Sequence, residues 1–243
     1  MVRTAINLYS VRELDLAMTD LLDRVADASY DGVQFSGGLR GEDPDRVAEK
    51  LAERDLGITG AHVGIEQLED DLADTIEIYR TLGCDSLVVP WLPASHFETR
   101  EEAVTTADRI AALADRVTEY DFELHYHNHD QEFTDYGGET GFDVLLERTD
   151  DVLFELDVGW VAAGDSDPVA TIERVRDRTS LIHLKDVAVA SGTPVEIGDG
   201  DVDIPACAEA ARKANMKWLI YEYDDPEDPL ESIDFGAEFL SQL

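Results

Sequence analysis

The chain has 243 residues, a length that α/β barrels commonly occupy as a single domain. Its 55 acidic against 19 basic residues give a formal charge of −36, which repels nucleic acid and anionic membrane and excludes both as expected partners. No stretch approaches the roughly 18 apolar residues of a membrane span, and Met1-Val2-Arg3-Thr4-Ala5-Ile6-Asn7 has no extended apolar segment, so a cytoplasmic protein is expected.

The acids run through the whole sequence, and only four cations are lysine: Lys50, Lys185, Lys213 and Lys217. This pattern resembles the hydrated acidic surfaces of proteins from salt-accumulating halophiles, and pairs such as Asp70-Asp71 or Asp224-Asp225 read as solvated surface. Unscreened, so much like charge loosens a fold, so the melting temperature is expected to rise between dilute buffer and molar salt. A melting temperature that does not move would contradict this. Cys84 and Cys207 form no CxxC pattern and read as reduced structural thiols.

Along the chain, short apolar or β-branched runs recur at Ala5–Tyr9, Gly32–Phe35, Ile58–Val63, Ser86–Trp91, Phe122–His127, Leu153–Val158, Leu181–Val187 and Trp218–Tyr223. Between them lie stretches with apolar residues three and four apart, such as Leu16, Leu21, Leu22, Val25 and Ala26, or Ala107, Ile110, Ala111, Ala114 and Val117. Helix starts are signalled at Asp43-Pro44, Asp203-Ile204-Pro205 and Asp228-Pro229. Eight strand-then-helix units without a long linker predict an α/β fold, a single (β/α)8 barrel spanning residues 1–243. A doubly wound open sheet is the competing architecture, but no Gly-x-Gly-x-x-Gly follows the first strand and no Walker loop is present.

In a barrel, chemistry belongs at the C-terminal strand ends. Three polar residues stand there after oily runs: Asp157 after Val152–Leu156, His183 after Leu181-Ile182, and Glu222 after Trp218–Tyr221. A carboxylate so placed is costly unless a cation or hydrogen bonds offset its lost hydration. Separately, Asp157 could cap the next segment and His183 could be a core histidine; together they point to a divalent metal site that keeps positions open for substrate oxygens. Carboxylate and imidazole donors without thiolate suit Mn, Co, Zn or Mg.

A fourth ligand is expected from the fifth run, where His125, His127 and His129 alternate on one strand face and His127 sits at its end. Either His127 or His129 could bind the metal while the other moves a proton or orients substrate. Glu132, in the same loop, and His62, ending the third run, are candidates to touch substrate. Arg12 could hold an anionic group, and Trp160 and Trp91 could stack on a sugar ring. Lys185, two residues after His183 on the same face, could stabilise an oxyanion or donate a proton, or simply pair with Asp186 or Glu155. Gly198-Asp199-Gly200-Asp201 lacks the spaced ligands of a calcium loop and reads as a turn or a flexible lid over the mouth.

The sets Asn7–Arg12, Tyr30–Phe35, Tyr126–Phe133, Glu155–Trp160, His183-Leu184-Lys185-Asp186 and Gly198–Asp201 resemble, in matching order, the sugar phosphate isomerase/epimerase family of xylose isomerase-like TIM barrels. The resemblance implies a divalent metal held by Asp157, His183 and Glu222 and an acid/base pair acting on a hydroxyketone or related sugar. It departs where many relatives carry a glutamate and this chain has His127, and where Gly32-Val33-Gln34 replaces glycine-valine-glutamate. The His-Asn-His form is similar to the branch of inosose dehydratase-like and keto-sugar epimerase-like proteins. The expected activity is therefore a metal-dependent sugar or cyclitol isomerase or epimerase with His127, His129, Glu222 and Lys185 in the chemistry. A dehydratase on the same metal site and a non-catalytic sugar-binding barrel are the alternatives. A homo-oligomer is plausible from the resemblance.

Overall fold

The alternating runs and amphipathic stretches close, in the computed structural model of residues 2–243, into the expected barrel. Its strands, in chain order with a small hairpin, are β1 (Arg3–Asn7), β2 (Gly32–Ser36), β3 (Gly57–His62), β4 (Ser86–Val89), β5 (Glu123–His127), β6 (Leu153–Asp157), β7 (Thr179–Leu184), β8 (Asp186–Ala188), β9 (Thr193–Val195) and β10 (Trp218–Tyr221). Each barrel strand pairs in parallel with the next, β1 through β7, and β10 closes the ring between β7 and β1. Outside, helices bury their apolar stripes against the strands.

Local chemistry places those helices. Met18–Asp27 and Arg100–Thr118 bury the residues whose spacing announced them, including Leu21, Leu22, Val25, Ile110, Ala114 and Val117. Asp43, Asp203 and Asp228 cap the helices Pro44–Glu53, Ile204–Lys213 and Pro229–Ser241 through their side chains, each with a proline in the first turn. Such caps are worth about 0.5–2 kcal/mol apiece.

Strand ends differ from the sequence reading where a side chain captures the backbone. The first strand stops at Asn7, whose Oδ1 accepts from the Tyr9 N–H and turns the chain into a short 3-10 segment, Leu8–Val11. The sixth stops at Asp157, which caps the helix Val158–Ala163. The expected run Leu181–Val187 is two elements: β7 ends at Leu184, and β8 pairs antiparallel with β9. Asp186 makes that break, because its carboxylate accepts from the N–H groups of Gly198, Gly200 and Val202 at 3.0–3.1 Å. Gly198–Asp201 is thus a turn tied to β8. Cys84 and Cys207 are free and buried.

Inside the barrel, Ala5, Leu181, Trp218 and Ile220 form their own apolar cluster. The Trp218 indole leaves no room beside it: a Cβ on Gly32 would lie 2.7 Å from Trp218 Cη2 and 2.6 Å from the Gly57 carbonyl oxygen. Arg3 covers this floor, its guanidinium 3.8 Å from the indole centroid. Above it, the two-residue alternation forces the next inward positions, Asn7, Gln34, His183 and Glu222, to be polar and buried at the C-terminal mouth. Among the described residues, no helix is long and apolar enough to cross a membrane.

Candidate metal centre

The strand ends converge as their register requires. Asp157 is the ladder partner of His183, His183 is that of Ile220, and Glu222 follows two residues later on the same inward face. His127 ends β5 beside Glu155. One donor atom from each of His127, Asp157, His183 and Glu222 lies within 4.8 Å of the other three, and all four residues are buried. Of the three histidines in the fifth run, then, His127 joins the cluster. His129 stands beside it, ring centroids 5.1 Å apart, and His125 lies deeper, with Nε2 3.6 Å from Glu123.

The donor set fits a divalent cation. His127 Nε2 is 3.5 Å from Asp157 Oδ2 and 4.0 Å from Glu222 Oε2. Metal bonds of about 2.0–2.2 Å to nitrogen and oxygen put neighbouring donors about 3–3.5 Å apart, so this spacing suits an ion better than a hydrogen bond. Asp157 Oδ2 and both His127 ring nitrogens are buried without a hydrogen-bond partner. Buried orphans of this kind are costly and are retained where something else satisfies them. Asp157 uses its other oxygen to accept from the Trp160 N–H at 3.0 Å, so the capping role and the inward role coexist.

Charge in the cluster is already organised around cations. Burial opposes ionisation of Glu222 and Asp157, yet Lys185 and His127 hold both carboxyls below their ordinary range, with His183 adding to the effect on Glu222. Burial alone would lower the His183 pKa, but Glu155 and Glu222 outweigh it and push it up to about 10. Its Nδ1 is in direct contact with Glu222 Oε2. Lys185 Nζ lies 3.4 Å from Asp157 and Glu222 and 2.8 Å from Asp224, which keeps it protonated despite burial. Gly159 lets the lysine pass, since a Cβ there would come within 2.9 Å of the Lys185 carbonyl oxygen and 3.0 Å of its Cγ. The expected pairing of Lys185 with Asp186 or Glu155 is therefore replaced by three other carboxylates.

Asp224, read from the sequence as solvated surface, is mostly buried, and burial pushes its pKa up to about 6 against the pull of Lys185. Glu155 enters the sequence reading only as a possible ion-pair partner of Lys185. It is fully buried, accepts from His62 Nε2 at 2.6 Å and from Gln34 Nε2, and lies 3.0 Å from His183 Nε2, whose hydrogen bond goes to Gln34 Oε1. A signal for it existed: Glu155 and Asp157 are two apart on one strand, so if one faces inward both do.

A cavity of about 350 Å³ opens above the cluster, lined by Tyr9, Ser36, His62, Pro90, Trp91, His127, His129, Lys185, Glu222 and Asp224. That volume suits a single small polyol. A larger crevice of about 560 Å³ at the other end of the barrel is lined by Val2, Arg3, Arg212, Asn215, Met216 and Lys217 and offers no acid or imidazole for chemistry.

Three expected substrate contacts fall elsewhere. Arg12 donates to the carbonyl oxygens of Tyr9 and Asp224 and stacks over the Tyr9 ring, so its guanidinium fastens two loops together. Glu132 is wholly buried, accepting from the Tyr126 hydroxyl and, at 2.7 Å, from the His129 N–H, so it braces the histidine loop. Burial pushes its carboxyl up to about 7 against those two bonds. Trp160 packs under the site, its ring 5.2 Å from that of His129 and 4.9 Å from Lys185 Nζ. Trp91, by contrast, is 53% exposed at the rim, where a ring could stack.

With this geometry, the likenesses to known proteins are consistent. An inosose dehydratase of Geobacillus kaustophilus (strain HTA426) is 26% identical over 92% of this chain and 86% of its own length. A sugar phosphate isomerase/epimerase from Parabacteroides distasonis superposes with a TM-score of 0.84 at 21% identity, covering 99% of this chain and 98% of that one. A 3-keto-D-glucoside 4-epimerase from E. coli superposes with a TM-score of 0.77 at 16% identity over 100% of both chains. Residues 22–243 match the xylose isomerase-like TIM barrel family, and the chain belongs to it.

Proposed function

We propose that the protein is a metal-dependent isomerase or epimerase of a sugar or cyclitol, acting by proton removal from the carbon next to a carbonyl. The observation that carries this reading is the buried His127–Asp157–His183–Glu222 donor set at the base of a cavity of about 350 Å³ with His129 and Lys185 beside it. These four residues would hold the cation, with Mn, Co, Zn and Mg all compatible with the donors. When bound, the metal supplies Lewis acidity that polarises the substrate carbonyl.

The remaining chemistry belongs to the chain. Burial, with His127 and Lys185 nearby, keeps the His129 pKa well below its ordinary value, so at neutral pH its ring is uncharged and its lone pair is free to meet a substrate proton, at the cost of lowered basicity. Lys185, protonated at the cavity wall, stabilises negative charge as it develops on the substrate oxygen. Glu222 serves as a ligand more readily than as a base, because its depressed pKa makes it a poor proton acceptor. Tyr9 and Trp91 offer apolar faces at the rim for a ring.

A second reading is dehydration of the same substrate class. The likeness to inosose dehydratases over most of the chain favours it, and the Lys185 ammonium at the cavity wall would hydrogen-bond a departing hydroxyl. Incubation of the metal-loaded protein with a panel of ketoses and inososes in D₂O tests both. Deuterium entering the carbon beside the carbonyl, with a new diastereomer or isomer, supports the first reading. Loss of water to give an unsaturated or diketo product supports the second. Neither exchange nor turnover with any panel member would contradict both and favour a sugar-binding barrel.

A further inference from the structure

We propose that Glu155, working through Gln34, is the positioning carboxylate that fixes the tautomer of His183 so that its Nδ1 lone pair faces the metal. This rests on the metal reading above. One backbone N–H can only donate. Tyr9 N donates to Asn7 Oδ1 at 2.8 Å, so the other end of that amide, Nδ2, must donate. It does so to Gln34 Oε1 at 2.8 Å and faces His62 Nδ1 at 3.4 Å. Gln34 Oε1 is thereby an acceptor, and its Nε2 donates to Glu155 Oε2.

Two histidines inherit their protonation from this chain. His62, with Nδ1 facing a donor, carries its proton on Nε2 and gives it to Glu155 Oε1 at 2.6 Å. His183 Nε2 faces two acceptors, Gln34 Oε1 at 2.7 Å and Glu155 Oε1 at 3.0 Å, so it also carries a proton. The free electron pair of a neutral His183 is then on Nδ1, the nitrogen turned toward Glu222. Metal-ligating histidines are commonly held this way, with the distal N–H given to a carboxylate.

His62, Glu155 and His183 are close enough to suggest a second cation site of their own. His62 and Glu155, at 2.6 Å, are instead hydrogen-bonded, and Glu155 is already met by His62 and Gln34 with His183 Nε2 at 3.0 Å, whereas Asp157 Oδ2 and His127 in the first cluster are orphaned. The backbone is shaped for the same end. The β2–β3 and β6–β7 ladders each slip by one residue, leaving Thr59 and Ser180 without partners, and each slip lies three residues before a histidine of the network. Such bulges re-aim the side chains that follow.

The test is a charge exchange. In Glu155→Gln, the new amide sets N–H groups against those of Gln34, or of His62 and His183. Gln34 relieves this only by turning over, which puts its Nε2 against His183 and drives the His183 proton to Nδ1. In Gln34→Glu/Glu155→Gln, the carboxylate at position 34 accepts from Asn7, His183 and the amide at position 155, and that amide oxygen accepts from His62, so every bond is restored.

Titration of metal-free protein with Mn²⁺ is expected to show binding weakened by about 10–100-fold in Glu155→Gln and returned to within about threefold of the parent in the double variant. Unchanged affinity in Glu155→Gln, or a double variant as weak as the single, would overturn the proposal. Should the single variant not fold, ¹⁵N-histidine NMR of the Zn²⁺-loaded parent decides: His183 protonated on Nε2 supports the assignment, and metal on Nε2 overturns it. Failure of the parent itself to take up Mn²⁺ or Zn²⁺ overturns the metal reading beneath it, a result the parent titration gives on its own.

Discussion

Replacing Lys185 by Met lowers the melting temperature of the metal-free protein by about 10 °C. The ammonium is almost wholly buried and, among the described residues, is the only lysine or arginine side chain paired with Asp157, Glu222 and Asp224, at 3.4, 3.4 and 2.8 Å. Its removal leaves buried carboxylates uncompensated, a loss of about 3–5 kcal/mol, and a chain of this size moves by about 2–4 °C per kcal/mol. A saturating divalent cation supplies the missing positive charge and recovers much of the loss, since it binds only the folded state. Thermal melts with and without metal check this. A metal-free melting temperature within a degree or two of the parent's would mean that Lys185 does not hold the acid cluster together.

Replacing Glu222 by Gln, or His127 by Asn, weakens metal binding by more than the roughly 100-fold that an outer-shell change produces. Deuterium exchange into substrate falls with it by about 10²–10³ at fixed metal concentration. The two variants behave alike because both residues present donors to one point, with His127 Nε2 4.0 Å from Glu222 Oε2. Parallel metal titrations and exchange assays check this. If His127→Asn loses exchange while keeping parental metal affinity, His127 moves a proton and the fourth donor is something other than its imidazole.

What the sequence made legible follows the physics of alternation. Asp157, His183 and Glu222 could be read because each ends a run whose period of two had already fixed the inward face. The helices with a capping Asp and a proline were equally readable, because those signals are local. Glu155 was not, because between Phe154 and Leu156 in so acidic a chain it looks like one more solvated acid; only the closed barrel turns it inward. Asp224 was hidden by Asp225, an exposed neighbour of the same type. The extra residues Thr59 and Ser180 in the ladders leave no mark in composition, yet they set the aim of His62 and His183. Arg12, Glu132 and Trp160, read as substrate contacts, do not line the cavity, and each is engaged by a partner of its own, a loop carbonyl, a tyrosine hydroxyl or a histidine ring.

The most direct measurement is metal content and stoichiometry on protein purified without chelator, followed by Mn²⁺ titration of the stripped protein and of Asp157→Ala. The donor geometry predicts about one equivalent bound per chain, lost in Asp157→Ala while the barrel's circular dichroism is unchanged. A stripped parent that takes up no Mn²⁺, Co²⁺, Zn²⁺ or Mg²⁺, or an Asp157→Ala protein that binds as tightly as the parent, would contradict the metal centre on which this account stands.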